Sequence, residues 1–414
     1  MKNIYIYGLG KGKKYADRCL IASEISIIAY IDNYKSKSTN SFEGIDLISL
    51  EEINQDFDYI IITLMQYDSV KKELIARNIK KEKIICFFSF FDMQNDEYWE
   101  IIDVYKWRSE LITKHYFEEM LPVVNNYNYE LYADDFLKRK EIPQILSGEI
   151  AIDLICKKKV NLSRFGDNEF ELIIGRRRTN YQEVNEVLGR RLKEVLNSHM
   201  DNLLIAIADN YGKLDRYTDA AASAIREYLG NGTRREHMEL LDLNRQYYDA
   251  YLSRPYYMYR DKQNAIKRFE NLQRIWENQD ILIVEGEHTR FGMGNDLISN
   301  AKTVQRIITL DRDCFNVYPQ LLEKVKENST NKLVLVILGP VATIMCHDLA
   351  KENIWAVDIG QVDTEYEWFL RKSLVRCDIP YKTVSEVLQY DEIMTDDRLE
   401  FIKRYQKEII ARVV

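Results

Sequence analysis

Read for apolar and polar positions alone, the chain alternates strand-like runs with helix-like runs in two successive blocks. Asn3-Ile-Tyr-Ile-Tyr7 is a short apolar run that ends at Gly8-Leu-Gly10-Lys-Gly12, and helical spacing follows through Cys19. Ser26 to Ile31, Asp58 to Thr63 and Lys83 to Phe87 repeat the strand pattern, with a helix predicted from about Ser69 to Arg77. This order predicts a small Rossmann-like α/β unit over residues 1–92. Residues 93–140 read as a helical connector: Trp99, Ile102, Val104, Trp107, Leu111 and Tyr116 fall at helical spacing, and Pro122 is expected to interrupt the helix.

The remainder, residues 141–414, carries a second α/β pattern. A strand-like stretch begins at Val160 and breaks at Gly166, and a helix is predicted around Tyr181 to Leu196. Leu203–Ala208, Asp280–Val284, Thr303–Thr309, Lys332–Ile337 and Ile354–Asp358 are apolar runs separated by helical stretches. Such runs predict a mostly parallel, Rossmann-like sheet covered on both faces, with ligands beyond the carboxyl ends of its strands. Past residue 375, including Glu400 to Arg412, amphipathic helices are expected that pack on the sheet or pair subunits into a homo-oligomer.

Composition narrows the function. At 414 residues the chain exceeds one ordinary core, and 46% hydrophobic with 30% charged residues is globular. A net charge of −8 argues against a nucleic-acid-coating protein. The six cysteines are scattered, with no zinc spacing, which predicts reduced thiols in a cytoplasmic protein. No apolar run reaches transmembrane length, so membrane contact is expected only as peripheral association with the inner face.

The candidate chemistry gathers at predicted strand ends. Asp167 and Glu169 follow the break at Gly166 at i and i+2, and in extended backbone that spacing aims both at one face. Two hard oxygen ligands there suit Mg²⁺ or Mn²⁺ with positions open for phosphates. Glu285-Gly-Glu287-His-Thr-Arg290-Phe-Gly-Met-Gly294-Asn295-Asp296 packs acids, an arginine and glycines into twelve residues. Gly339-Pro340-Val-Ala-Thr343 offers a glycine turn and free N–H groups at a helix start, a common anion site. Asp358, Asp363, Glu365, Arg254 and Arg164 complete the set. Singly, each has a plainer reading as a salt bridge, cap or turn, and His288 and His347 read as hydrogen-bonded lone histidines. At the amino end, Gly8, Gly10 and Asp32 mark a possible nucleotide site, although the third glycine position falls at Lys13, in a helix start carrying Lys11, Lys13 and Lys14.

Taken in order, Arg164-Phe-Gly-Asp-x-Glu169, Ser253-Arg-Pro-Tyr256, Val284-Glu-Gly-Glu-x-Thr-Arg290, Gly294-Asn-Asp-Leu297, Leu338-Gly-Pro-x-Ala-Thr343 and Asp358-Ile-Gly-x-x-Asp-x-Glu-Tyr-Glu-Trp368 resemble the GT-D-type glycosyltransferases over roughly residues 145–375. The chain departs from that pattern at Asn168, Val341 and Gln361, where the family carries Gly, Thr and His. The resemblance implies a D-x-E metal site and transfer of a sugar, typically glucose from UDP-glucose, to glycans of bacterial surface glycoproteins. The amino-terminal unit resembles small Rossmann-like domains preceding sugar-modifying enzymes, with Gly8, Gly10 and Ile31-Asp32-Asn33 at the matching places.

On this reading Asp167 and Glu169 hold the metal, and Arg164, Arg254 and Arg290 face the diphosphate with Gly166, Asn295, Gly339 and Thr343. Glu287 is favoured as general base over Asp296, Asp363 and Glu365. The acceptor is a glycan, glycopeptide or lipid-linked oligosaccharide. The alternatives are an NAD-linked oxidoreductase or epimerase centred on Gly8, Gly10 and Asp32, a metal-dependent phosphotransferase or hydrolase, and a non-catalytic nucleotide- or glycan-binding scaffold.

Overall fold

The computed structural model describes the chain apart from residues 34, 35, 37, 38, 55, 91, 140, 141, 177–181, 380 and 383–399. It forms two compact units, Met1–Val123 and Val124–Val414.

In the first unit the strands are β1 (Lys2–Tyr7), β2 (Ile25–Ile31), β3 (Ser41–Phe42), β4 (Ile45–Ile48), β5 (Tyr59–Ile62) and β6 (Ile84–Cys86). They lie in the order β3-β4-β2-β1-β5-β6, parallel except for the β3–β4 hairpin. The predicted strands are all present, because each is an apolar run bounded by turn residues. Helical backbone covers Val104–Lys114, a π-helical turn His115–Met120, and Leu121–Arg139. The expected break at Pro122 is therefore corrected. The proline is the second residue of Leu121–Arg139, directly after the widened turn, where a missing N–H is tolerated.

The second unit holds β7 (Gln144–Leu146), β8 (Asn161–Phe165), β9 (Leu203–Ile207), β10 (Gln246–Asp249), β11 (Asp280–Gly286), β12 (Thr303–Thr309), β13 (Leu333–Ile337), β14 (Ala356–Asp358) and β15 (Ile409–Val413). Their order is β15-β12-β11-β13-β14-β8-β9-β10-β7, and every described pair is parallel. Both faces are buried, as period-two alternation requires. Leu282, Val284, Val334 and Val336 enter one core, while Ile281, Ile283, Leu333 and Leu335 enter the other. The helix predicted from Tyr181 runs Glu186–Leu196; residue 181 itself lies outside the described residues. The carboxyl-terminal expectation is corrected too: Glu400–Glu408 is helical, but Ile409–Val413 is a strand pairing with β12. Its alternating half-buried and exposed positions have a period of two, not 3.6.

The order places the crevice. The chain steps outward from β8 to β9 on one side, and β13 and β14 lie on the other. The helix after β8, Asp167–Ile174, puts Phe170 and Leu172 into the first core, whereas the helix after β14, Val362–Leu370, puts Val362, Tyr366 and Trp368 into the second. Helices that leave adjacent strand ends toward opposite faces open a gap between them, the usual ligand position in such sheets. Among the described residues no helix is long and apolar enough to cross a membrane.

Candidate active site

A cleft of about 510 Å³ opens at these strand ends. Asp167 and Glu169 both line it, though not for the reason the spacing suggested. They are the first and third residues of the helix Asp167–Ile174, not extended backbone. Two helical steps turn a side chain by about 200°, so i and i+2 do not share a helix face. Glu169 instead folds back over the helix start, where its Oε2 accepts the Gly166 N–H at 2.7 Å in a capping-box arrangement. Burial pushes its carboxyl up to about 7 against that hydrogen bond, and the nearby Asp358 and Asp167 add to the shift. Carboxylates crowded in this way favour a cation. Asn168 Oδ1 is buried without a hydrogen-bond partner at the same helix start, which adds a third hard oxygen. Among the described residues no group of three or more His, Cys, Asp or Glu could hold a metal by itself. Two carboxylates and an amide oxygen thus line the cleft at this helix start, the kind of donor that could hold Mn²⁺ or Mg²⁺.

The floor is a clamp built on Arg164. Its Nε donates to Asp358 O at 2.9 Å, Nη2 to Asp358 Oδ1 at 2.6 Å, and Nη1 to Ser253 Oγ at 2.8 Å. One guanidinium thereby ties β8 to β14 and to the loop after β10. Gly360 (φ +53) is needed here, because a Cβ would lie 2.1 Å from Arg164 Nη2. Thr343 is also structural: fully buried, it donates from Oγ1 to Arg164 O at 2.8 Å, and its carbonyl accepts Ser163 Oγ–H at 2.8 Å. Arg254 lines the cleft with Nη1 3.8 Å from Glu365 Oε1. Glu365 is itself spent on the loop, accepting the N–H groups of Tyr256 and Tyr257 at 3.0 and 2.6 Å. Gly339 (φ +54) caps the helix Pro340–Lys351 and lines the cleft with open space where a side chain would stand.

Several candidates from the 285–297 loop are not brought to the cleft. Glu287 continues the β11–β12 ladder through its N–H to Thr309 O at 3.1 Å, so the alternation that turns Gly286 to the cleft turns Glu287 away. It is exposed and paired with Arg412 at 2.9 Å. Asp296 is exposed and accepts the Tyr366 hydroxyl at 2.7 Å. Arg290, at φ +48, donates to Tyr381 O at 2.8 Å and fixes the loop outside the cleft lining. Asn295 donates to Asp363 Oδ1 and Glu367 Oε1, both at 2.8 Å. Asp363 does line the cleft, but its other oxygen is taken by Lys382 Nζ at 2.6 Å.

Other lining residues were not singled out in the sequence. One flank is aromatic and apolar, with Ile225, Tyr228, Tyr251 and Met258. The opposite flank holds Thr289 and Asp311, the latter paired with His288. Asp311 follows β12 and was open to the same strand-end argument; Tyr228, on the helix Asp219–Gly230, carries no sequence signal.

Residues 162–387, over half of the chain, match the family model described as glycosyltransferase GT-D fold. The chain belongs to the GT-D-fold glycosyltransferases. It is similar to a probable glycosyl transferase Gly of Streptococcus gordonii, 33% identical over 65% of this chain and 39% of that protein. It is also similar to glycosyltransferase GlyD of Streptococcus pneumoniae serotype 4, 28% identical over 69% of this chain and 34% of that protein. It therefore spans little more than a third of these relatives' lengths. Two solved structures resemble its GT-D part. A domain of unknown function 1792, described as having a distinct glycosyltransferase fold, gives a TM-score of 0.63 at 30% identity, covering 68% of this chain and all of that one. A glycosyltransferase from Streptococcus sanguinis gives 0.62 at 30% identity, covering 66% and 100%. Residues 1–85 match a family described as C2185-like, N-terminal.

Within the GT-D domain, two of the departures from the family pattern line the cleft. Asn168 and Gln361 each present a side-chain oxygen that is buried without a hydrogen-bond partner, whereas Val341 is in the core. Outside the GT-D domain, Gly8 (φ +96) and Gly10 lie at the turn after β1, and Gly10 caps the helix Lys11–Cys19. Asp32 follows β2, its N–H donating to Ile48 O at 3.2 Å. Lys13 does not face a ligand there: it is buried between Asp17 at 2.8 Å and Glu43 at 2.7 Å.

Proposed function

We propose that the chain transfers a hexosyl group, glucose being the expected sugar, from a UDP-sugar to a glycan, glycopeptide or lipid-linked acceptor in bacterial surface glycoprotein or polysaccharide synthesis. The observation that carries the reading is one cleft, at the switch point of a GT-D-fold sheet, lined by Asp167, Glu169, Arg254 and the Gly339 turn. Asp167, Glu169 and the Asn168 amide oxygen would hold Mn²⁺ or Mg²⁺, which when bound neutralises the negative charge of the departing diphosphate as a Lewis acid. Arg254 adds a fixed cation to the same wall, and the positive end of the helix Pro340–Lys351 lies at the Gly339 turn, although Pro340 has no N–H and the Val341 and Ala342 N–H groups donate to Leu338 O and Gly339 O. Arg164 holds the two strand ends in register, so it acts by positioning and not by contact with phosphate. A cytoplasmic setting is consistent with six cysteines that are all free thiols.

The test is the Asp167→Ala variant assayed for UDP release from UDP-glucose with Mn²⁺, beside its thermal melt. A loss of about 10²- to 10³-fold is expected with the melt preserved, the scale for removing one electrostatic stabiliser. Full transfer by that variant in the presence of EDTA would remove the metal assignment.

A further inference from the structure

The flank of the cleft formed by β11 and β12 holds a pair of residues that the transfer chemistry above leaves unused. Asp311 lines the cleft beside Gly286 and Thr289. Its Oδ1 accepts the backbone N–H of His288 at 2.9 Å, and its Oδ2 accepts from the ring Nδ1 of the same residue at 2.6 Å. A carboxylate only accepts, so Nδ1 carries the proton here, and one residue fixes both oxygens while each keeps lone-pair capacity. The position is cleared by a glycine: a Cβ on Gly286 would lie 2.6 Å from Asp311 Oδ1 and 3.2 Å from Thr289 Oγ1.

Four strand spacings separate β12 from β8 in the sheet. The Asp311 carboxylate reaches back over Gly286 at the end of β11, three spacings from β8 and so about 14 Å away at about 4.8 Å each. Asp311 would therefore meet a different part of the substrate from the cation proposed at Asp167.

We infer that Asp311, positioned by His288, binds a vicinal diol of a sugar ring in this part of the cleft. The inference rests on the transfer reading for treating that ring as substrate. Adjacent hydroxyls donate one hydrogen bond to each carboxylate oxygen, a charge-assisted pair that needs the carboxylate held in one orientation. The diol comes either from the ribose of the nucleotide or from a pyranose of the acceptor.

Calorimetry on the full chain with Mn²⁺ separates the two, using UDP, 2′-deoxy-UDP and methyl β-glucopyranoside as probes. Asp311→Asn replaces an accepting oxygen with a donor and is expected to weaken binding of the diol ligand about ten- to a hundredfold, the worth of hydrogen bonds to a charged group. If the ribose is held, UDP weakens markedly in that variant, and 2′-deoxy-UDP, which keeps one of the two hydroxyls, weakens less. If the acceptor is held, UDP binds as before and the glycoside is lost. His288→Ala lowers the same affinity, and His288→Asn, whose amide N–H replaces Nδ1–H, restores it. Unchanged affinity of Asp311→Asn for every probe, at the wild-type melting temperature, overturns the inference. Should that variant fail to melt cooperatively, wild-type protein that binds UDP and 2′-deoxy-UDP equally and binds no glycoside overturns it as well. Wild-type protein that binds no nucleotide sinks the transfer reading instead, while the glycoside arm still decides this one.

Discussion

His237 is held in one protonation state by its neighbours. Its ring stacks on Phe170 with centroids 4.0 Å apart, Tyr211 Oη lies 2.9 Å from Nδ1 and Tyr228 Oη 3.2 Å from Nε2. Tyr228 gives its proton to Glu171 Oε1 at 2.9 Å, so it accepts from Nε2–H, and Nδ1 accepts from Tyr211. The neutral ring is fully satisfied, and burial lowers its pKa to about 4. The unfolded chain, near 6.5, takes up the proton first as pH falls. This contribution to stability is therefore present above pH 6.5 and lost between about 6.5 and 4, roughly 3 kcal/mol in all. Urea unfolding at pH 7 and pH 4.5 checks it: His237→Phe is expected to show a smaller loss over that interval than wild type. An equal loss in both would mean that His237 titrates normally. Little of this was legible in the sequence, because Tyr211, Tyr228 and His237 meet only through the fold. Asp167 was legible because it follows a strand break, and its neighbour Glu169 was found for the wrong geometric reason.

At the level of elements, the strands that were read correctly are those whose side chains enter a core on both faces, such as Leu203–Ile207 and Leu333–Ile337. Those missed are β3, β4, β7, β10 and β15, which are short, polar or alternating and lie toward the margins of their sheets. What secures β15 is a buried charge cluster. Arg306, on β12, is fully buried and donates to Glu285 Oε1 at 2.6 Å and Glu408 Oε2 at 2.8 Å. Glu285 was legible as an acid at a strand end, but the cluster was not, since Arg306 lies 21 residues from Glu285 and Glu408 lies 102 residues from Arg306. Arg306→Met is expected to cost about 3–5 kcal/mol, because it strands a buried carboxylate. Adding Glu285→Gln to that variant should recover much of the loss, as neutral partners no longer need the cation. Denaturant unfolding of the two variants measures both effects, and a single-variant cost below 1 kcal/mol would show that the cluster is dispensable.

For the molecule as a whole, the cleft lining runs from Arg164 to Arg376 and so falls entirely within the unit Val124–Val414. That unit expressed alone is expected to melt cooperatively and, on the proposed function, to bind UDP with Mn²⁺ as tightly as the full chain. A tenfold weaker affinity in calorimetry would assign the first 123 residues a part in donor binding. The parallel pairing of β15 with β12 has a consequence for synthesis. On the ribosome, β12 emerges about a hundred residues before the strand that covers its outer side, as the 102-residue separation of Arg306 and Glu408 records. At about 5–20 residues per second, that margin stays bare for roughly 5–20 s. A nascent chain with an uncapped row of backbone donors and acceptors for that long is an obvious client for a holding chaperone.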